Sequence, residues 1–155
     1  MKTIAHDAQR MGLLFEYGIV TGKEVVAWAD SAIVQLASLP DSLLQLSLTA
    51  PDNTADIISH LHRLASGADF WAALRSVIPR IRDYVVEHPD GAETTANHLF
   101  LTACFAHNKF PKDLQFLFRF DDAFSLAQDG VYGTPQDVYR DFVQELGKFD
   151  GERRQ

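Results

Sequence analysis

Apolar residues recur at helical spacing along almost the whole chain, and short polar breaks separate the recurrences. Ile4, Ala8, Met11, Leu14 and Phe15 form one face of a first helix, and Gly18 stands where a left-handed C-cap would end it. Thr21-Gly22-Lys23-Glu24 fits a capping box, with Val20 and Val25 placed as the hydrophobic staple around it. Val25, Val26, Ala29, Ala32, Ile33 and Leu36 then carry a second helix to Pro40. Pro40 and Asp41 open a short third helix whose Leu43, Leu44, Leu46 and Leu48 make it nearly all apolar, so it is expected to be mostly buried. Asn53 or Asp52 caps a fourth, with Ile57, Ile58, Leu61 and Leu64, stopped by Gly67.

Asp69 caps a fifth helix running towards Glu87. Its stripe of Phe70, Leu74, Val77, Ile81 and Val85 keeps one phase through Pro79, which predicts one kinked helix rather than two. After the turn His88-Pro89-Asp90-Gly91, a sixth helix spans about Ala92 to His107. Only Thr102 interrupts the apolar run from Leu99 to Ala106, which predicts the central, most buried segment of the protein. Leu114, Phe116, Phe118 and Phe120 alternate in the manner of a strand, while Leu114, Leu117 and Phe118 fit a helix. A lone strand among helices would leave its backbone without partners, which favours helix. A short helix from Asp121 or Asp122 to Ala127 follows, then the turn 129–133. Thr134 and Pro135 open the last helix as cap and first-turn proline, with Val138, Phe142, Val143 and Leu146 on its inner face.

The pattern predicts an all-α fold, a single-domain irregular helical bundle of about seven or eight helices over 1–149, with a polar tail at 150–155. A chain of 155 residues buries roughly 70% of its unfolded surface, enough for a core without staples. Its one cysteine allows neither an internal disulfide nor a multi-thiolate zinc site. A net charge of −7 argues against binding nucleic acid through its phosphates. No apolar run has the length of a membrane span and the first residues lack a signal-peptide core, so the expected location is the cytoplasm.

Candidate chemistry is sparse. His60 and His62 are two apart and diverge on a helix; the remaining histidines, His6, His88, His98 and His107, are scattered. No di-iron or zinc-protease spacing occurs, and surface histidines and helix-end caps are the simpler account. Cys104 with His107 at i+3 resembles a thiolate–imidazole pair only on paper. Its apolar setting predicts a packed core cysteine. No phosphate loop, nucleophile elbow or dinucleotide fingerprint is present. The expectation is no catalytic residue, no metal site and no cofactor.

Charge and aromatic layout say more. Seven of the 11 phenylalanines lie between Phe100 and Phe124, either a core corner or a groove for an apolar ligand or partner helix. No basic residue separates Lys23 from Arg63, whereas Glu24, Asp30, Asp41, Asp52 and Asp56 are acidic. Asp137, Asp141 and Glu145 fall four apart in the last helix, a spacing that costs a few tenths of a kcal/mol per like-charged pair. They are a solvated face or an acidic docking surface for a basic partner. Together with Asp121, Asp122, Asp129 and the amphipathic Tyr132 they form the candidate partner-binding set.

The stretch LLFEYGIVTGKEVVAWAD over 13–30, followed by Leu39-Pro40 and LLQLS over 43–47, resembles the opening of small bacterial helical proteins of uncharacterised function. Some of those resemble immunity proteins that neutralise toxins delivered between competing bacteria. The resemblance covers about the first third of the chain and carries over no catalytic residue. It implies a non-catalytic module whose partner is another protein, concretely a basic toxin domain occluded by acidic surface. The competing readings are a small metal-assisted hydrolase built from Asp56, His60, Asp83 and Glu87, and an adaptor that packs through the Phe-rich segment.

Overall fold

In the computed structural model, which describes residues 3–106 and 110–151, the polar breaks become helix ends. The order is α1 (Ile4–Glu16), α2 (Gly22–Gln35), α3 (Asp41–Ser47), α4 (Thr54–Leu64), α5 (Phe70–Glu87), α6 (Ala92–Phe105), α7 (Arg119–Gln128) and α8 (Pro135–Gly147). Short 3-10 segments at Pro89–Gly91 and Lys112–Phe118 precede α6 and α7. Among the described residues there is no strand.

The helices gather into two compact units, Met1–Val77 and Ile78–Gln155, and the division falls inside α5. In the first, α4 packs against both α1 and α3, and α2 against α3. Its centre is Leu43, Leu46, Ile57 and Leu61, all essentially without solvent contact. In the second, α7 packs against α6, α8 and the 112–118 segment. Phe142 of α8 stands at its centre, with ring centroids 5.0 Å from Phe120 and 5.9 Å from Phe124.

Local chemistry sets the helix starts. The Thr21 hydroxyl accepts the Glu24 N–H at 3.2 Å while Glu24 Oε2 accepts the Thr21 N–H at 2.7 Å, the complete capping box. Asn53, Asp69 and Thr134 each accept an N–H three residues on, at 3.0–3.2 Å. Gly18 takes φ +72° after α1, the left-handed position that favours glycine. Pro79 lies inside α5 without ending it, as the unbroken phase predicts.

Three expectations are corrected. Leu99 to Ala106 is not the buried centre. α6 buries the narrow stripe Ala92–Ala96–Leu99–Ala103, whereas Leu101 is 40% and Phe105 72% exposed. Cys104 is likewise exposed rather than packed in a core. Apolar composition is similar around this helix, so it does not say which side faces α7. The partner His107 lies outside the described residues. α3 is only half buried: Leu43 and Leu46 point inward, while Leu44 and Leu48 are exposed. The ambiguous stretch is helical, as favoured over strand, and takes the 3-10 form over Lys112–Phe118. A repeat of three residues per turn sends Leu114, Leu117 and then Phe120 inward together, which mixes the two sequence periods. Asp150, the first residue of the polar tail, is tied to α5. Its carboxylate pairs with Arg82, beside the close approach of Gly147 to the same guanidinium. Residues 152–155 lie outside the described residues.

Candidate functional site

The acidic set splits once side chains are placed. Asp137 is consumed by its own helix end: its N–H donates to the Thr134 hydroxyl, its Oδ2 accepts from that hydroxyl at 2.9 Å, and its other oxygen pairs with Arg140. Glu145 is two-thirds or more covered and bridges cations, with Lys148 Nζ at 2.9 Å and Arg119 at 3.5 Å. Asp121 accepts from Asn97 Nδ2 at 2.9 Å, tying the first turn of α7 to α6. Asp129 is the exposed C-cap of α7. The carboxylate stripe of α8 is therefore not one surface. Arg140, Lys148 and Arg119 have neutralised its two ends.

Asp129 aside, which does not line the groove between α7 and α8, Asp122 and Asp141 remain. Neither has an ion-pair or hydrogen-bond partner among the described residues, and both are exposed. Asp122 rides on the first turn of α7 and Asp141 on the middle of α8, and they face a groove of about 550 Å³ between these helices. Phe118, Leu126, Val138 and Tyr132 supply much of its lining. Tyr132 is 74% exposed, and Phe118 and Leu126 about 40% each. Tyr132 belongs to the turn after α7, where Val131 N–H and Tyr132 N–H both donate to the Leu126 carbonyl. Gly130 and Gly133, at φ +71° and +64°, let that turn reverse the chain.

Arg119 also lines the groove, yet its charge is directed elsewhere. Its guanidinium carbon lies 4.7 Å over the Phe120 ring and one nitrogen faces Glu145. An apolar floor between two uncommitted carboxylates results, one on each wall. Sequence reasoning had the acids and the Phe-rich segment as separate candidates, and the fold joins them. Phe118, Leu126 and Arg119 were missed as site residues. Phe118 lay inside the aromatic cluster, which was the one available signal.

Elsewhere the acids are mostly engaged. In the first unit, Glu24 completes the capping box, Asp30 accepts from the Ser47 hydroxyl and Asp56 from Asn53 Nδ2. Among the described residues, no three His, Cys, Asp or Glu side chains gather as a metal ion would require. No helix among them is long and apolar enough to cross a membrane. No family model, curated protein or solved structure matches this chain.

Proposed function

We propose that this protein is a non-catalytic binding module whose partner is a basic protein, docked at the α7–α8 groove. The observation that supports the reading is the pair Asp122 and Asp141, one on each helix flanking an exposed apolar groove and without an ion-pair or hydrogen-bond partner among the described residues, while Asp137 and Glu145 beside them are ion-paired. Unpaired carboxylates steer a cationic partner and fix its register more than they add affinity, and the exposed apolar floor supplies area to bury. A toxin domain with a basic, substrate-binding surface is the concrete partner that the net charge of −7 and the resemblance over 13–47 suggest.

The test is kinetic. A partner found by pull-down is compared for association rate with wild type and with the Asp122→Lys/Asp141→Lys double variant, at two ionic strengths. Steering by these groups predicts a slower on-rate for the variant, with the difference largest at low salt. Glu145 is left alone, because its salt links to Lys148 and Arg119 give it a structural role. Equal on-rates at low salt would refute the reading.

A further inference from the structure

We infer that the element seated in the α7–α8 groove is an amphipathic basic helix, laid with its apolar face on Phe118, Leu126 and Tyr132 and with Lys or Arg on both flanks of that face. The inference rests on the proposed binding of a basic partner and specifies what that partner must present. A surface that worked by charge alone would gather its free carboxylates in one place. Here the two that line the groove are separated, one on each of its flanking helices, and the floor between them is apolar. Three exposed bulky side chains on that floor include Tyr132, the most exposed of them.

An occupant carrying charge only would leave this apolar floor wet. An occupant carrying apolar residues only would leave two carboxylates desolvated without partners, which opposes binding. A helix with leucine-like residues at i, i+3, i+4 and i+7 and basic residues on each side of that stripe satisfies both demands at once. Arg119 is no obstacle, because Glu145 and the Phe120 ring already hold it.

The probe is a dye-labelled peptide of about eighteen residues, roughly five helical turns, built of leucine and lysine with every leucine on one helical face. A scrambled peptide of the same composition and an all-lysine peptide serve as comparators. Affinity is read by fluorescence anisotropy and peptide helicity by circular dichroism. The patterned peptide should bind roughly ten-fold more tightly than either comparator and gain helix on binding. Asp122→Asn/Asp141→Asn should weaken it about ten-fold at low salt, and Leu126→Ser by a similar factor at any salt. These exposed positions leave the fold intact, which the melting curve of each variant checks. If the comparators bind as tightly and remain sensitive to Asp122 and Asp141, the amphipathic helix is overturned and the basic-partner function stands. If no peptide binds, or if binding ignores both aspartates, the two fall together.

Discussion

Two glycine-to-alanine substitutions in the first unit should move stability in opposite directions. Gly22 is buried at the first position of α2, where its Cα faces the 50–53 turn. A Cβ there would sit 1.9 Å from the Pro51 carbonyl oxygen, 2.9 Å from the Pro51 carbonyl carbon and 3.0 Å from Ile57 Cδ1. An ordinary carbon–oxygen contact is about 3.3–3.6 Å, so two backbone segments must part by more than an ångström. Overpacking of this kind costs roughly 1–3 kcal/mol. The displaced turn also strains the adjacent Thr21–Glu24 cap, worth about 0.5–2 kcal/mol, while replacing glycine in a helix returns about 0.5–1 kcal/mol. Gly22→Ala should therefore destabilise by about 2–3 kcal/mol. Gly12, buried in α1, would place its Cβ 4.0 Å from Leu61 Cβ, an ordinary contact. Gly12→Ala should instead stabilise by roughly 0.5–1 kcal/mol. Both tryptophans, Trp28 and Trp71, belong to this unit, so their fluorescence in urea follows it directly. With a slope of about 1–3 kcal/mol/M, the Gly22→Ala midpoint should fall by roughly 1 M and that of Gly12→Ala should rise by a few tenths. Midpoints that shift in the same direction would refute the close approach of α2 to the 50–53 turn.

Further expectations follow from single contacts. Phe142→Ala, at the centre of the aromatic cluster of the second unit, should cost about 3–5 kcal/mol in thermal melts followed by circular dichroism; a loss below about 1 kcal/mol would mean that the cluster is not packed. Thr21→Ala should lower stability by roughly 0.5–2 kcal/mol, and an unchanged melting temperature would place the start of α2 elsewhere. The Cys104 thiol should react with Ellman's reagent in the native protein; reaction only after unfolding would return it to the core.

Element existence was legible where end chemistry and periodicity agreed. The Thr21–Glu24 box, the Thr134–Pro135 start and the unbroken phase through Pro79 all fixed helices that the fold retains. Facing was legible only where polar residues marked the outside. Along 99–106 nothing polar but Thr102 did so, and the outward position of Phe105 could not be read. The candidate site was half legible for a related reason. Spacing by four put Asp137, Asp141 and Glu145 on one face, but which of them keeps a free charge depends on Arg140, Lys148 and Arg119. Two of those cations lie on or beside the same helix at i+3 and could have been counted. Arg119 comes from α7 and only the tertiary fold brings it near. The role of Gly22 was hidden likewise, since the capping pattern explains Thr21 and Glu24 but says nothing of Pro51.

Mapping where a basic amphipathic ligand lands on the protein tests docking at the α7–α8 groove. In a nitrogen-15 correlation spectrum of the full chain titrated with the patterned leucine–lysine peptide, saturable shifts should be confined to 118–126, Tyr132 and the Val138–Asp141 turn of α8. Amides of the first unit from Glu24 to Asp56 should stay in place. Shifts centred on those first-unit acids, or spread over both units without saturation, would contradict it.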